Sequence, residues 1–186
     1  MPYPSKTDRN AILAAAMDQV AKHGTGKLAI RGVAAELGLA PNALYRYFHN
    51  LAALQAALAD ESRSRLLAVL KEAADGKPPE AAIWGIAEAY LRFAREHPQV
   101  FSLTLRAGSD DNDHEPSHSQ SWKFTSGHVA RLYGDARAPE ATVALWAFLH
   151  GMTALESAGV FGEIKPASSF EFGLQMWILA ASRPAS

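Results

Sequence analysis

Apolar residues recur every three or four positions along most of the chain, which is the spacing of one face of an α-helix. The alternation of apolar and polar residues that marks a half-buried strand is essentially missing. The sequence therefore predicts an all-α protein of about nine helices. The predicted helices cover residues 7–23, 30–37, 41 to about 49, 50–75, 79–96, 99–107, 121–133, 140–158 and 168–182.

Residues that end or begin helices interrupt this pattern at fitting positions. Gly24 and Gly38 follow the first two helices, where a residue without Cβ can adopt the left-handed conformation of a helix end. Pro41 suits the first turn of a helix, because its missing N–H would have no partner there anyway. Residues 108–119, GSDDNDHEPSHS, are polar, acidic and rich in turn-forming residues, and we predict an exposed loop there.

Residues 28–54, LAIRGVAAELGLAPNALYRYFHNLAAL, have the pattern of two short helices joined by a tight turn. In the second helix Leu44, Phe48 and Leu51 fall on one side, and the other side is polar and aromatic. This polar side offers small residues for close approach, an amide that can pair with adenine, and hydroxyl and cationic groups for phosphates. The segment therefore predicts a helix-turn-helix that reads the major groove of DNA. Its predicted outer face consists of Pro41, Asn42, Ala43, Tyr45, Arg46, Tyr47 and His49.

The composition fits a globular protein with a packed core, since 48% of the 186 residues are hydrophobic. The chain has no cysteine, which excludes a disulfide framework and a thiolate zinc site. The N-terminal MPYPSKTDRN is polar, and no apolar run approaches the roughly 20 residues of a membrane helix. We therefore expect a cytoplasmic protein without a membrane partner.

Charge is unevenly distributed, although the net charge of the whole chain is only -1. Residues 1–50 contain six lysines and arginines against three acids, a net charge of +3, whereas the remainder has 12 against 16. A cationic N-terminal part joined to an acidic remainder fits attraction to DNA phosphates at one end of the chain.

At the helix-turn-helix the sequence resembles the TetR family of transcriptional regulators. The resemblance rests on residue types at fixed offsets across the turn, and it covers about the first third of the chain. The matching residues are Ala34, Gly38, Leu39, Ala40, Leu44, Tyr45, Tyr47 and Phe48. The family implies a DNA-binding domain in residues 1–50, with its motif at about 30–49, and a ligand-binding and dimerisation domain in residues 51–186. It also implies a homodimeric repressor that binds double-stranded DNA at a quasi-palindromic operator and is released by a small apolar or aromatic inducer.

The resemblance assigns roles to residues of the DNA-binding domain. Arg31 and Asn42 are the expected base readers, of guanine and adenine respectively. The alternatives are that Arg31 is a solvated surface cation and Asn42 a local capping residue. The residues expected on phosphates or thymine methyl groups are Lys6, Tyr45 and Tyr47, and Arg46 can serve either purpose.

Two positions depart from the family pattern. Leu51 stands where a phosphate-binding lysine is common. Ala29 stands where a serine or threonine usually caps the first motif helix, a hydrogen bond worth on the order of 1 kcal/mol. Both departures predict weaker non-specific affinity for DNA, which His49 or Lys27 can offset.

Large aromatic residues are frequent in the rest of the chain. At helical spacing such residues are more often plain core than the lining of a pocket. The resemblance nevertheless implies a small-molecule cavity between these helices. We predict that it is lined by Trp84, Phe93, Phe101, Trp122 and Trp146, with Arg106, His150 and Glu156 as polar anchors. The alternative for His150 is a hydrogen-bonded structural residue.

Residues 145–161, LWAFLHGMTALESAGVF, resemble the penultimate helix of one branch of the family. Gly151 lies inside this helix, where glycine costs about 1 kcal/mol relative to alanine, and close approach of another helix would explain it. We predict that this helix and the last one pair with their copies in a second subunit. The predicted interface residues are Phe148, Gly151, Leu155, Phe170, Leu174, Trp177 and Ile178. The alternative is that the apolar face of the last helix packs inside its own subunit.

Two other functions compete with this interpretation. The first is a helical-bundle metal protein or enzyme, suggested by Asp110, Asp111, Asp113, His114, Glu115 and His118. These residues lie in a predicted loop that contains a proline, however, and not on facing helices. The chain shows no glycine-rich phosphate loop, no His-Glu-x-x-His and no nucleophile elbow, so we expect no catalysis, metal or cofactor. The second alternative keeps DNA binding but replaces the inducer domain with a protein-interaction or architectural module.

Overall fold

The computed structural model describes residues 7–106, 117–162 and 167–182, with only the backbone described for the first two residues of α7. Within these ranges the chain forms nine α-helices and no strand, which confirms the predicted fold class. A short 3-10 turn, Thr25–Lys27, follows the first helix. The helices are α1 (Arg9–His23), α2 (Ile30–Glu36), α3 (Pro41–Leu44), α4 (Leu51–Ala74), α5 (Pro79–Glu96), α6 (Pro98–Phe101), α7 (Ser117–Tyr133), α8 (Ala138–Ser157) and α9 (Ala167–Ala180).

Side-chain caps account for two of the helix starts. The carboxylate of Asp8 accepts a hydrogen bond from the backbone N–H of Ala11 at 2.8 Å, so α1 begins just after Asp8. The side-chain oxygen of Asn50 accepts one from the N–H of Ala53, also at 2.8 Å, and α4 follows. Each cap satisfies a backbone donor that has no partner within the helix.

Three predicted helix bounds are wrong by more than two residues. The helix predicted from Pro41 to about residue 49 is the four-residue α3, which ends at Leu44, and residues 45–47 form a turn. The helix predicted over residues 99–107 is the four-residue α6, because the backbone hydrogen bonds after Phe101 run from Thr104 and Arg106 to carbonyls only three residues back. Helix α7 begins at Ser117 and not at residue 121, so the last residues of the predicted acidic loop are helical. The rest of that loop, residues 108–116, lies outside the described residues.

The described residues form two compact units, and the boundary between them falls inside α4. Those within Met1–Arg65 and His97–His118 form the first unit, and those within Leu66–Glu96 and Ser119–Ser186 form the second. Each unit has its own apolar core. Fully buried side chains in the first include Ile12, Met17, Val33, Leu44 and Leu58, and in the second Ile83, Ile86, Leu145 and Leu174. The predicted functional domains, residues 1–50 and 51–186, stay a prediction.

In the first unit α1 packs against α2 and α6, and α2 packs against α3. Two buried polar side chains of α4 hold the segment that contains α6. The hydroxyl of Ser62 donates to the carbonyl of Val100 at 2.6 Å. The guanidinium of Arg63, a residue only 7% exposed, donates to the carbonyls of Thr104 at 3.1 Å and Arg106 at 2.8 Å. A buried guanidinium needs such partners, and here backbone carbonyls beyond a helix end supply them.

In the second unit α8 packs against α5 and α9. The α8–α9 contact is close at Gly173, where an added Cβ would lie 2.5 Å from the ring of Phe148, so a larger residue would require that ring to shift. The indole N–H of Trp177 donates to the carbonyl of Ala141 at 3.2 Å. These contacts fix which side of α9 faces its own subunit.

Candidate nucleic-acid interface

The turn between α2 and α3 has the geometry that the sequence predicts. Gly38 has a φ of 65°, in the left-handed region where a side chain is strained. The N–H of Leu39 then donates to the carbonyl of Ala34 at 2.8 Å, which closes the end of α2. Pro41 occupies the first turn of α3, as predicted. The chain therefore reverses sharply enough for α3 to pack on α2.

Helix α3 and the turn after it separate a buried side from an exposed side. Leu44 and Phe48 are 1% and 2% exposed and anchor the buried side. The exposed side begins with Asn42 in the first turn of the helix. Asn42, Tyr45, Arg46 and His49 are exposed, and Pro41 and Ala43 are half-buried. The structure thus leaves a polar amide, a phenol, a guanidinium and an imidazole on one short stretch without packing them away.

Tyr47 differs from this set, and the structure argues against the phosphate contact predicted for its hydroxyl, while the alternative contact with a thymine methyl group stays a prediction. Its side chain is half-buried, and its hydroxyl donates to the backbone carbonyl of Thr7 at 2.8 Å. The hydroxyl proton that would be donated to a phosphate oxygen is therefore already used in this hydrogen bond. The residue ties the turn after α3 to the chain just before α1. Sequence reasoning missed this partner, because nothing local to residue 47 indicates a carbonyl 40 positions away.

Arg31 lies in the first turn of α2 and is exposed, which leaves its guanidinium available to a base or a phosphate. Ala29 is the N-cap of α2 and makes no side-chain hydrogen bond, so the missing cap that the sequence predicts is confirmed. Leu51, at the start of α4, is half-buried. The predicted phosphate contact at Lys6 lies outside the described residues.

Further cations of the first unit lie on α1 and just after it. The guanidinium carbon of Arg9, in the first turn of α1, lies 4.9 Å from the centroid of the Phe48 ring. Lys22 and Lys27 are exposed at and just after the end of α1. Glu36, an acid on α2, accepts a hydrogen bond from the amide of Gln19 at 3.1 Å. The exposed groups of this unit are thus mainly polar or cationic, which suits a polyanionic partner.

The predicted ligand residues are distributed over both units: Phe101 and Arg106 belong to the first and the others to the second. Phe93 and Phe101 are buried, at 6% and 8% exposure, and Trp146 is 37% exposed. Glu156 is already paired, since both of its carboxylate oxygens lie 2.9 Å from Nε of Arg95. The role of the predicted set in ligand binding stays a prediction.

His150 has a partner that the sequence did not indicate. Its Nδ1 lies 3.1 Å from the hydroxyl of Tyr90, a residue of α5 that is 5% exposed. Burial raises the pKa of Tyr90 to about 12, and a hydrogen bond with Trp146 opposes part of that shift. Burial also lowers the pKa of His150. The second unit therefore has a polar cluster of phenol, indole and imidazole between α5 and α8, held mainly in its neutral form.

A groove of about 570 Å³ lies between α5 and α9 in the same unit. Among the five aromatic residues predicted to line the ligand cavity, only Trp84 lines this groove. The α5 side consists of Glu80, Trp84, Glu88, Leu91 and Arg95, and the α9 side consists of Ala167, Phe170, Glu171 and Gln175.

The structure corrects part of the predicted dimer interface. Phe170, Leu174 and Ile178 are 7%, 0% and 8% exposed, so this face of α9 packs inside its own subunit, as the alternative interpretation held. Trp177 lies on the same side, with its ring centroid 4.7 Å from that of Tyr133. The opposite face is apolar and exposed instead. Its residues are Phe172, Met176 and Leu179, at 67%, 51% and 56% exposure.

On α8 the predicted interface residues are accessible. Leu155 is 44% exposed, and Phe148 and Gly151 are half-buried. A Cβ built on Gly151 would meet no described atom within 4 Å, so no helix of the described part of this subunit requires glycine there. Val143 is also exposed on this helix, whereas Trp146 lies on the side of α8 opposite Leu155 and forms a hydrogen bond with Tyr90 of α5.

No group of three or more potential metal-ligating side chains is found among the described residues. Most of the acidic loop residues and histidines that suggested one, from Asp110 to Glu115, are outside the described ranges, as is the side chain of His118. None of the helices in the described ranges combines the length and apolar character needed to cross a membrane.

Two family models match the chain. The model described as "Bacterial regulatory proteins, tetR family" matches residues 12–58, and the model described as "Tetracyclin repressor-like, C-terminal domain" matches residues 83–177. The chain is also 27% identical over 168 residues to the uncharacterized HTH-type transcriptional regulator Rv0681 of Mycobacterium tuberculosis (strain ATCC 25618 / H37Rv). That alignment covers 87% of this chain and 75% of the relative.

Solved structures share the fold over almost the whole length. A protein of unknown function from Rhodococcus sp. RHA1 matches with a TM-score of 0.81 and 24% identity, over 98% of this chain and 100% of that one. A TetR variant from Acinetobacter baumannii AYE, in complex with minocycline, matches with a TM-score of 0.70 and 20% identity, over 94% and 96% of the two chains. Since one of the family models alone spans more than half of the sequence, the chain belongs to the TetR family of transcriptional regulators, which are not enzymes.

Proposed function

We propose that this TetR-family regulator is a repressor that binds a quasi-palindromic operator as a homodimer and is released by a small molecule with an apolar or aromatic part. The observation that carries the proposal is the exposed polar stretch that begins at α3. Asn42 can pair bidentately with adenine, while Tyr45 and Arg46 suit phosphates. Arg31, exposed on α2, can grip O6 and N7 of guanine. Since chromosomal DNA is the target, we propose that the protein acts in the cytoplasm.

The exposed apolar faces of α8 and α9 support the homodimer. Val143 and Leu155 on α8 and Met176 and Leu179 on α9 are each more than a third exposed. Large apolar side chains left in water on two adjacent helices favour burial against a matching surface. A second copy offers the same helices, so the two pairs can form a four-helix interface about a twofold axis. Two reading helices related by that axis would engage successive major grooves, roughly 34 Å apart or somewhat more.

A small-molecule effector is supported by the second unit's aromatic residues and by one relative. The solved Acinetobacter structure is a complex with the small molecule minocycline. In this chain the Tyr90, Trp146 and His150 cluster and the α5–α9 groove offer polar groups beside apolar surface, which is the usual character of ligand sites. An effector that binds better to the conformation unfit for DNA would weaken operator binding by its differential affinity for the two states.

The central experiment is an electrophoretic shift with DNA from upstream of the protein's own gene, with and without metabolites extracted from the host. We expect a discrete complex that competitor DNA of random sequence does not displace and that an extract fraction weakens. Absence of sequence-selective binding to that DNA would overturn the operator assignment. Selective binding that no fraction weakens would favour the alternative of a second unit used for protein contacts.

The homodimer can be tested with two matched leucines. Leu179, in the proposed interface, and Leu105, in the first unit, are almost equally exposed at 56% and 57%. Sedimentation velocity should show a dimer for the wild type and for Leu105→Lys, and a monomer for Leu179→Lys, because an unpaired ammonium would be buried at the interface. A wild-type monomer, or a dimer that Leu179→Lys leaves intact, would contradict the proposed interface.

A further inference from the structure

The groove between α5 and α9 is built almost entirely from two helical stripes. On α5 its residues Glu80, Trp84, Glu88, Leu91 and Arg95 recur every three or four positions. Most other residues of α5 are buried in the core, so this stripe, apart from the buried Leu91, is where the helix meets open space. Trp84 and Phe170 form the aromatic part of the wall, with ring centroids 6.2 Å apart in an edge-to-face arrangement. A groove of about 570 Å³ is within the size range of small-molecule sites, roughly 300–1,000 Å³.

The charges around this wall are predominantly negative. Glu80, Glu88 and Glu171 line the groove, and none of them forms an ion pair with any other residue that the structure describes. Arg95 is the one cation among the lining residues, and its Nε lies 2.9 Å from Glu156, so that guanidinium is already neutralised. An anionic ligand would therefore meet three uncompensated carboxylates. A cation would be attracted by the same three groups, and aromatic rings also favour cations.

We propose that the α5–α9 groove is a binding site for an organic cation with an aromatic or apolar body. The apolar body would contact Trp84, Phe170 and Leu91, and the cationic centre would lie among the carboxylates. This inference deepens the proposed function, since it names a ligand class for the regulator, and it rests on that function for its regulatory meaning. The binding itself requires neither DNA nor the polar cluster at His150.

The position of the groove on α9 suggests how occupancy can be sensed. Around α9, Glu171 and Gln175 lie between the buried face of Phe170 and Leu174 and the exposed apolar face of Met176. A ligand that contacts Glu171 and Gln175 is thus adjacent to the proposed dimer surface. Binding in the groove can consequently bias how two copies pack.

The test uses tetraphenylphosphonium and tetraphenylborate, which have nearly the same shape and opposite charge. Isothermal titration calorimetry on the full chain without DNA, in sodium buffer of low ionic strength, should show one tetraphenylphosphonium bound per chain and no uptake of tetraphenylborate. The variant Glu88→Gln/Glu171→Gln keeps the side-chain size but removes two charges, and we expect it to weaken tetraphenylphosphonium binding at least about tenfold. Both positions are exposed, so folding should be unaffected.

The matched control is Glu72→Gln, an exposed acid on α4 outside the groove lining. It should bind tetraphenylphosphonium like the wild type. Equal uptake of both probes, no uptake of the cation, or equal affinity in the double variant would each overturn the proposal. Operator binding without cation binding would reject only the proposed cation site in the groove. Charge-dependent cation binding without operator binding would reject only the DNA-binding proposal.

Discussion

The hydroxyl of Tyr47 donates a hydrogen bond to the backbone carbonyl of Thr7, with 2.8 Å between the two oxygens. This contact joins the turn after α3 to the chain just before α1. The guanidinium of Arg9 over the ring of Phe48 makes a second tie between the same two regions. The orientation of α3 is therefore set partly by residues at the very start of the described chain, as well as by the packing of α3 on α2.

Replacing Tyr47 with phenylalanine removes only the hydroxyl and so tests this tie. The half-buried carbonyl of Thr7 loses its donor, and we expect a loss of about 1 kcal/mol in the free energy of unfolding. DNA affinity should fall on specific and random sequences alike, because the whole helix is less well oriented. The control is Tyr45→Phe, since Tyr45 is 49% exposed and should lose DNA affinity without a change in urea denaturation. Unchanged stability in Tyr47→Phe would contradict the positioning role.

If Asn42 and Arg31 read DNA bases, alanine substitutions should change DNA binding without changing stability. Each is exposed, so alanine at either position should leave unfolding unchanged within about 0.5 kcal/mol. Each substitution should cost about 1–3 kcal/mol of binding to the preferred operator and relax base preference at one position. Fluorescence anisotropy on operator variants and on random DNA measures both quantities. Equal losses on the two kinds of DNA for Arg31→Ala would remove Arg31 from base reading and leave it as a phosphate contact.

The uncapped start of α2 provides a gain-of-stability prediction. Ala29 has extended backbone angles, φ −143° and ψ 139°, as N-cap residues do, but no side-chain oxygen. The substitution Ala29→Ser should therefore raise the free energy of unfolding by about 1 kcal/mol. As a control, Ala14→Ser in the exposed interior of α1 should lower it by a few tenths, about 0.5 kcal/mol at most. The same direction of change in both variants would show that serine acts there by some means other than capping.

Local signals in the sequence were sufficient for most of the reading unit. The φ of Gly38, the first-turn Pro41 and the uncapped Ala29 each depend on a few neighbouring residues, and all are confirmed. The contact from Tyr47 to Thr7 depends on distant residues, and the local pattern gives no sign of it.

The orientation of α9 could not be predicted for a different reason. Its sequence, ASSFEFGLQMWILA, is apolar on most sides, so periodicity alone does not show whether Leu174 or Met176 faces the core. Burial of Leu174 and the close approach of Gly173 to the ring of Phe148 arise only once α8 and α9 are packed. The α5–α9 groove is likewise a property of two packed helices and has no signature in either helix alone.

Sequence reasoning missed the structural role of Arg63, although the sequence contains a sign of it. It lies four residues after Ala59 and three before Leu66, both buried, so a charged residue occupies the apolar stripe of α4. Such a position indicates a guanidinium with partners inside the protein. In the structure those partners are the carbonyls of Thr104 and Arg106 and the carboxylate of Asp60, at 2.6 Å.

We therefore expect Arg63→Met to loosen the segment after α6. Two carbonyls and a partly buried carboxylate would lose their donor, which should lower the free energy of unfolding by about 2–4 kcal/mol. Hydrogen–deuterium exchange should speed up at the amides of Thr104 and Arg106. The control is Arg65→Met on the same helix, where the pair with Glu61 is exposed and worth at most about 0.5 kcal/mol. Similar losses of unfolding free energy in the two variants would mean that the buried hydrogen bonds of Arg63 stabilise the protein no more than the exposed pair of Arg65.

Burial of two histidines in the second unit predicts the pH dependence of stability. Burial lowers the pKa of His150, and burial together with the charge of Arg131 lowers that of His128, from the usual 6.5. Below pH 6.5 the unfolded chain therefore binds protons that the folded chain does not yet accept, so stability is complete above that pH and is lost as the pH falls through it. Urea denaturation at pH 7.5 and 5.5 should show lower stability at the acidic pH for the wild type, a smaller difference for His150→Gln, and a smaller one still for His128→Gln/His150→Gln. A difference that persists undiminished in the double variant would assign the acid sensitivity to other groups, such as the carboxylates.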